Sequence, residues 1–305
     1  MEYMPEPRKR PYFTSLSRKV HTSLKKALLN FKWDKDFLMC HRLSIPHKMI
    51  YLFRKYYAII SRASQILFLG NSFIYDNRFA PALLETYPRE ITLLDRVIGL
   101  NSVHTVLDVG ANIGQWAYTL KYFFPHLTIY SFEPNKEIFS FLKMNAHPFR
   151  DWHIYNYALG NKREKRTFYY CPSASAEGSF FEDNLYQNYL RDDAKSISVS
   201  VIKPTKSLLH ALQIPLEIDL VKIDVEGAEM EVLKSLKEIR FKYLAIEISV
   251  HRKGGGGLEE VRSFIEEEWG IPTRLLYYDS PGSNAPCGSA IILLERTRKA
   301  SSQSK

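Results

Sequence analysis

Residues 104–114 read HTVLDVGANIG, a short apolar and β-branched run that ends in an aspartate and a glycine-rich turn. Such a run is typical of a buried strand, and the stretch ANIGQWAYTLKYFF at residues 111–124 is typical of a helix. Gly110 and Gly114 allow a sharp turn and a close approach of the backbone to a ligand. Since the helix directs its N-terminal N–H groups to the same place, the stretch predicts a binding site at the carboxyl end of a strand.

Strands and helices alternate along the chain after this turn. The predicted strands are LTIYSFEP (127–134), WHIYNYALG (152–160), RTFYY (166–170), SISVSVI (196–202), IDLVKIDVEG (218–227), FKYLAIEISV (241–250), TRLLYY (273–278) and SAIILLE (289–295). The helical stretches between them predict an α/β fold, with a mostly parallel sheet covered by helices on both faces. Residues 171–195 show little periodicity and predict a long loop or lid.

Positive charge is concentrated near the N-terminus. Residues 1–62 contain 14 Lys and Arg against 4 Asp and Glu, whereas the other residues contain 28 against 29. A basic nucleic-acid enzyme usually carries its charge around its site, so the neutral body predicts no nucleic-acid partner. We predict a basic, helical N-terminal extension over residues 1–75, a main domain over residues 76–296 and a polar tail over residues 297–305.

Residues 46–69 are rich in apolar side chains but also contain basic ones. The apolar residues recur at helical spacing, and two of the basic residues lie off that stripe: Ile50, Phe53, Tyr57 and Ile60 against Arg54 and Lys55. This pattern favours a helix that packs on the main domain. Peripheral contact with an anionic membrane surface and a dimer contact are the alternatives.

Composition excludes several classes of protein. The chain is 45% hydrophobic and 25% charged, which is typical of a globular protein and not of a disordered chain. No window of 18 residues is free of Asp, Glu, Lys and Arg, so we expect no membrane-spanning helix. No secretory signal is visible in MEYMPEPRKR. The three distant cysteines, Cys40, Cys171 and Cys287, fit a reducing compartment, so we expect a cytoplasmic location.

The residues at two strand ends indicate the class of ligand. Asp108 would repel a phosphate and suits an amino group or another cationic feature. Glu133 ends the next strand, where an acidic residue can accept both hydroxyls of a ribose. The glycine spacing after Asp108 does not match the dinucleotide fingerprint. A ribose acceptor without a pyrophosphate cradle favours S-adenosylmethionine over NAD.

A third strand end carries three carboxylates. The sequence KIDVEGAE at residues 222–229 places Asp224 at the end of a strand and Glu226 and Glu229 in the first turn of a helix. Acidic residues at a helix N-terminus also complement the helix dipole. Three carboxylates that converge on one opening nevertheless predict a functional site.

Taken in order, these motifs resemble a known family. DVGANIG, FEP, NYALGN, DLVKIDVEGAEMEVL and IEIS closely resemble the FkbM family of S-adenosylmethionine-dependent methyltransferases, over roughly residues 80–250. The resemblance implies a class I methyltransferase, Rossmann-like fold with a seven-stranded sheet that has one antiparallel strand. It also implies O-methylation of a hydroxyl on a sugar, glycolipid, polyketide or similar natural product, so that the expected partner is a small-molecule or glycan acceptor.

The resemblance also implies roles for individual residues. The methionine end of S-adenosylmethionine would be lined by Asp108, Gly110, Ala111, Asn112 and Gly114. Glu133 would hold the ribose, and Asn156 to Ala158 would border the adenine. The transferred methyl group and the acceptor would face Asp224, Glu226 and Glu229.

A hydroxyl acceptor needs a base within hydrogen-bond reach. The candidates are Asp224, Glu226, Glu229 and His251, the last of which follows the IEIS strand. Asp224 and Glu247 could supply two oxygens to a magnesium ion, but the sequence shows no third ligand, so we predict no metal.

Two other functions remain open from the sequence. One is a catalytically silent protein of the same fold that binds the cofactor without turnover. The other is a nucleic-acid or protein methyltransferase guided by the basic N-terminus, against which the neutral charge of the body argues.

Overall fold

The computed structural model describes part of the chain, namely residues 34, 37, 38, 40, 42–61, 63–68, 71–75, 86–172, 174–186, 194–249, 253, 254, 256–279 and 289–296. More than half of the predicted N-terminal extension (residues 1–75) and all of the predicted polar tail (residues 297–305) lie outside these residues.

The elements alternate in the order that the sequence predicts. The first half contains α1 (Ile45–Ser61), β1 (Gln65–Phe68), β2 (Asn71–Ile74), α2 (Thr86–Ile98), β3 (Thr105–Val109), α3 (Gln115–Phe123), β4 (Thr128–Phe132), α4 (Lys136–Ala146), β5 (Trp152–Tyr155) and β6 (Ala158–Leu159). The second half contains β7 (Glu164–Cys171), β8 (Ala174–Ser179), α5 (Glu182–Tyr186), β9 (Lys195–Ile202), α6 (Lys206–Ala211), β10 (Glu217–Asp224), α7 (Glu229–Ser235), β11 (Arg240–Ser249), α8 (Leu258–Ser263), β12 (Thr273–Asp279) and β13 (Ser289–Arg296).

Seven of the strands form the central sheet. Their order across the sheet is β12-β13-β11-β10-β3-β4-β5. Neighbouring strands from β11 to β5 are parallel, and β13 is antiparallel to both β11 and β12. This order, with one antiparallel strand, is the class I methyltransferase fold, so the predicted fold is confirmed.

The central strands are apolar on both sides because helices cover both faces of the sheet. Consecutive residues enter opposite cores: Val106 and Leu220 belong to one buried cluster, and Leu107 and Val221 belong to the other. Residues of α2, α3 and α4 complete the first cluster, and residues of α6, α7 and α8 pack with the second. Because β11, β10, β3, β4 and β5 are parallel, their carboxyl ends lie at the same edge of the sheet.

A smaller sheet forms beside the central one, in the order β6-β9-β7-β8. This sheet includes part of the region predicted to be a loop or lid, because Ala174–Ser179 pairs antiparallel with β7. Glu182–Tyr186, in the same region, forms a short helix after that strand. The loop prediction for 171–195 was therefore wrong for these residues. The sequence ASAEGS has few β-branched residues, so its strand depends on the partner and not on intrinsic propensity.

The N-terminal extension contains more than the predicted helix. The helix α1 ends at Ser61, and a hairpin of β1 and β2 follows it. The buried face of α1 carries Tyr51 and Ala58, while the predicted stripe is exposed. The prediction that the stripe packs on the domain was therefore wrong, although the helix does pack there through its opposite face.

The hairpin is joined to the main domain by aromatic contacts and one asparagine. Phe68 and Phe73 belong to the same buried cluster as Tyr118 of α3. The buried side chain of Asn145 accepts a hydrogen bond from Ile74 N at 2.7 Å and donates to Ile74 O and Ile113 O at 2.8 Å. One residue of α4 thus connects the hairpin to the glycine turn after β3.

Candidate active site

The carboxyl ends of β3, β4 and β10 meet at one cleft. Gly110, Glu133 and Asp224 follow these three neighbouring strands and line a single cavity of 190 Å³. Ala111, Asn112 and Glu226 line the same cavity. The structure therefore brings together three motifs that the sequence spreads over residues 110–224.

The turn after β3 requires glycine at its first position. Gly110 has φ +85°, and a Cβ there would lie 1.9 Å from the carbonyl oxygen of Asp224. The amides of Gly110 and Ala111 both donate to Phe132 O at 3.0 Å. The turn is thus held between β4 and β10 with no room for a side chain. Gly114 has φ +92°, and a Cβ there would meet Leu142 and Trp152 instead.

Glu133 accepts two backbone hydrogen bonds at the floor of the cleft. Its Oε2 accepts from Asn112 N at 3.0 Å, and its Oε1 accepts from Asn135 N at 2.8 Å. Burial raises the pKa of Glu133 to about 7, and these two hydrogen bonds oppose the rise. Each carboxylate oxygen retains acceptor capacity, so the group fits a pair of ribose hydroxyls.

Asn135 supplies a buried donor beside Glu133, which the sequence did not identify. Its Oδ1 accepts from Glu137 N at 3.0 Å and caps α4. Its Nδ2 is buried and has no hydrogen-bond partner among the described residues, and the residue lines the cavity. A buried donor without a partner is costly, so the site fits a ligand with an acceptor oxygen here.

A smaller apolar cavity of 30 Å³ adjoins the first. Phe132, Pro134, Ala158 and Val225 line it, and Phe168 and Phe180 of the smaller sheet and its following turn close it. Its lining is apolar and aromatic, as a site for a purine ring requires, but its volume is only about that of one water molecule. An adenine ring would enter it only after the side chains of Phe168 and Phe180 moved aside. Asn156 Nδ2 donates to Glu133 O at 2.8 Å and Pro134 O at 3.1 Å and so fixes the Glu133 turn.

Asp108 lies beneath the cleft and is fully buried. Its Oδ2 accepts from Ser131 Oγ at 2.9 Å, and its Oδ1 lies 3.4 Å from Lys222 Nζ. Burial raises the pKa of Asp108, whereas Lys222 and Ser131 lower it. The structure therefore places Asp108 behind the surface that a ligand would touch.

Lys222 joins the two aspartates, a role that the sequence analysis did not assign. Its Nζ lies 3.0 Å from Asp224 Oδ2, and it lies over the Trp116 ring at 5.5 Å from the centroid. Burial alone would lower the pKa of Lys222. The negative charges of Asp224 and Asp108 raise it by more than burial lowers it, so the pKa is raised overall. The sequence did contain a signal for this role, because Lys222 is a charged residue in the otherwise apolar run of residues 220–223, at the third position from the end of the strand.

The remaining predicted acids are placed differently from one another. Asp224, Glu226 and Glu247 line the cavity. Glu229 is fully buried, and its Oε1 accepts from Gly227 N and Ser249 N at 3.1 Å. Burial raises its pKa. Glu229 thus holds the turn after β10 against β11, and His251 lies outside the described residues.

The helix α2 contributes residues that no sequence motif identified. Tyr87 lines the cavity. Glu90 Oε1 accepts from Trp116 Nε1 at 2.8 Å, and burial raises the pKa of Glu90 to about 7, against the effect of Lys222. No group of three or more metal-ligating side chains occurs among the described residues.

Known proteins share this sequence pattern. A family model described as the methyltransferase FkbM domain matches residues 108–270. "Methyltransferase 1" of Beauveria bassiana (strain ARSEF 2860) is 26% identical over 146 residues, which are 44% of this chain and 58% of that protein. The match thus spans less than two thirds of the relative's length.

Solved structures give weaker similarity. A putative O-methyltransferase from Klebsiella pneumoniae has a TM-score of 0.39 at 12% identity, covering 68% of this chain and 79% of that one. Trm5b from Pyrococcus abyssi has a TM-score of 0.43 at 10% identity, covering 77% and 56%. The family match, by contrast, covers more than half of the chain and all three strand ends of the cleft. This chain therefore belongs to the FkbM methyltransferase domain family.

Proposed function

We propose that the protein is an S-adenosylmethionine-dependent methyltransferase that methylates a hydroxyl of a sugar, glycolipid or other natural product. The observation that carries this proposal is the meeting of Gly110, Glu133 and Asp224 in one cavity, in a chain of the FkbM family.

Binding of the cofactor would use three parts of the cleft. Glu133 and Asn135 would hold the ribose hydroxyls and oxygens. The adenine would lie at the apolar cavity beside Pro134 and Ala158, which would have to widen by movement of Phe168 and Phe180. The turn of Gly110 to Asn112 would lie along the methionine end, since its backbone can approach a ligand closely.

The bound cofactor would supply an electrophilic methyl group, so that a C–O bond forms as the C–S bond breaks. The chain's own residues would then align the acceptor oxygen and take its proton. Alignment alone can contribute about 7–11 kcal/mol. Of the four predicted bases, Asp224 and Glu226 line the cavity. Glu226 Oε2 accepts a hydrogen bond from Ser249 Oγ at 2.9 Å, which holds it toward β11, so Asp224 is our candidate. Lys222, at 3.0 Å, would fix the position of its carboxylate.

Cofactor binding is the first test. We expect calorimetry to detect binding of S-adenosylmethionine to the wild-type protein and an affinity loss of about 10–100-fold in Glu133→Gln, because a hydrogen bond to a charged group is weakened. Glu238→Gln is the matched control, since Glu238 pairs with Lys206 at an exposed site at 3.5 Å. Absence of binding by the wild-type protein, or equal affinity in Glu133→Gln, would contradict the proposal.

Methyl transfer is the second test. Labelled cofactor should modify a component of glycan or lipid extracts, and Asp224→Asn should slow turnover about 10²–10⁴-fold with little change in cofactor affinity. Labelling of RNA or protein instead would support the alternative acceptor class. Cofactor binding without labelling of any extract would favour a catalytically silent protein.

A further inference from the structure

The helix α1 presents a continuous apolar face to solvent. This outer face consists of residues that are between 49% and 83% exposed: Ile45, Met49, Ile50, Phe53, Tyr57 and Ile60. Their spacing of three and four residues places them on one side of the helix. Large exposed apolar patches usually mark a surface that another body covers.

The opposite face of α1 buries two lysines. Lys55 is fully buried, and its Nζ donates to Asp34 Oδ1 at 2.6 Å. Lys48 is also buried and donates to Leu38 O at 2.7 Å. Burying charged groups while leaving apolar groups in water reverses the usual preference. The helix is therefore oriented so that its apolar side remains available.

The charge of the N-terminal region indicates which kind of partner would suit the outer face. Residues 1–62 contain 14 basic and 4 acidic residues, and Arg54 is exposed on α1 itself. A second copy of this chain would supply the same excess of basic over acidic residues in this region. An anionic lipid surface satisfies both the apolar face and the positive charge. No described helix is long and apolar enough to cross a bilayer, so the helix would lie along the surface.

We propose that the outer face of α1 inserts into the headgroup region of an anionic lipid bilayer and holds the protein at that surface. Contacts between aromatic rings connect α1 to the main domain. The ring centroids of Tyr51 and Phe68 are 5.1 Å apart, and those of Phe68 and Tyr118 of α3 are 6.1 Å apart. The bound helix would therefore hold the main domain near the membrane. The proposal does not depend on methyl transfer, since α1 lies outside residues 108–270.

Vesicle flotation of the full chain tests this proposal. We expect the protein to float with vesicles of phosphatidylcholine mixed with phosphatidylglycerol, and not with phosphatidylcholine alone. Phe53→Glu combined with Ile60→Glu should lower the bound fraction at least about tenfold, since two apolar anchors are replaced by charges repelled by the lipid. Met144→Glu is the control, because Met144 is an exposed apolar residue on α4.

A milder pair, Phe53→Ser with Ile60→Ser, removes the apolar anchors without adding charge and should also lower binding. Circular dichroism melting should show that both double variants fold. The proposal is overturned if the wild-type protein does not float, if it floats equally on neutral vesicles, or if the variants bind as well as Met144→Glu. It is also overturned if light scattering shows a dimer that these variants dissolve, or if the protein binds RNA in preference to vesicles.

Discussion

The active-site cleft and α1 both depart from the usual distribution of side chains, but in opposite directions. At the floor of the cleft and beneath it, Lys222 and Asp108 are buried charges that pair with each other. On α1, Phe53 and Ile60 are exposed apolar residues. Buried charges that border a cavity indicate a ligand site, whereas a continuous exposed apolar face, which only α1 has of the two regions, indicates a docking surface. The two regions therefore differ in how they should respond to substitution.

The strongest test of the difference is a methyl group added at the glycine turn. We expect Gly110→Ala to lower the free energy of unfolding by about 5 kcal/mol or more, because its Cβ would meet the Asp224 carbonyl and its φ is unfavourable for alanine. Gly99→Ala is the matched control, with φ +67° and nothing within 4 Å of the added Cβ, and should lose only about 1–2 kcal/mol. Similar urea midpoints for the two variants would show that the turn has room.

Removal of the cleft's buried cation comes next. Lys222→Met should lower the free energy of unfolding by about 3–5 kcal/mol, since Asp108 stays buried without its ion-pair partner. Adding Asp108→Asn should recover part of that loss. Lys206→Met removes a lysine whose side chain is 70% exposed and should change stability by less than about 0.5 kcal/mol. Equal losses of unfolding free energy in Lys222→Met and Lys206→Met would show that the buried lysine of the cleft contributes no more to stability than an exposed one.

A smaller effect concerns pH. Because burial raises the pKa of Glu133 to about 7, its carboxylate ionises only as pH rises through that value. Ribose hydroxyls donate best to the charged form, so we expect cofactor affinity to increase about tenfold between about pH 6 and pH 8. Calorimetry at several pH values measures this directly.

The stability of the cofactor-free protein should change with pH in the opposite direction to its cofactor affinity. A raised folded-state pKa means that Glu133 stabilises the cofactor-free fold at low pH and that this contribution is lost as pH rises from the ordinary glutamate range through about 7. Glu133→Gln should remove the pH dependence of cofactor affinity but only reduce that of stability, because Glu90, whose pKa is also raised to about 7, remains. Unchanged pH profiles in the variant would assign the effect to another group.

The smallest effect is expected on α1. Ile60→Ser should change the free energy of unfolding by less than about 0.5 kcal/mol, because Ile60 is 83% exposed. Phe68→Ala, at a fully buried position that α1 packs against, should instead cost about 3–5 kcal/mol. Thermal melts of both variants provide the measurement. A large loss for Ile60→Ser would mean that the outer face is already covered.

The sequence predicted where the ends of β3, β4 and β10 meet because strand ends are local features. Gly110, Glu133 and Asp224 each follow a short apolar run, and parallel strands end at one edge of a sheet. Glu229 shows the limit of this reasoning. Its place in the first turn of α7 suggested the cleft mouth, but its side chain turns to the amides of Gly227 and Ser249, and rotamer direction cannot be read from spacing.

The orientation of α1 could not be predicted for a different reason. Hydrophobic periodicity identifies an apolar stripe but assumes that the stripe is buried. The partners of Lys48 and Lys55, Leu38 and Asp34, come from the preceding segment. Such contacts between elements decide which face packs, and a helical pattern alone does not contain them. The same holds for Asn135, whose free donor depends on how Oδ1 is used.

The contacts of Asn145 have a practical consequence for anyone who shortens this protein. A fragment that begins after Tyr75 would keep every family motif, yet it would lose both polar partners of Asn145 at Ile74 and uncover the Tyr118 ring where Phe68 and Phe73 now pack. We expect such a fragment to aggregate rather than fold. The limits of a family match are thus not the limits of the unit that folds.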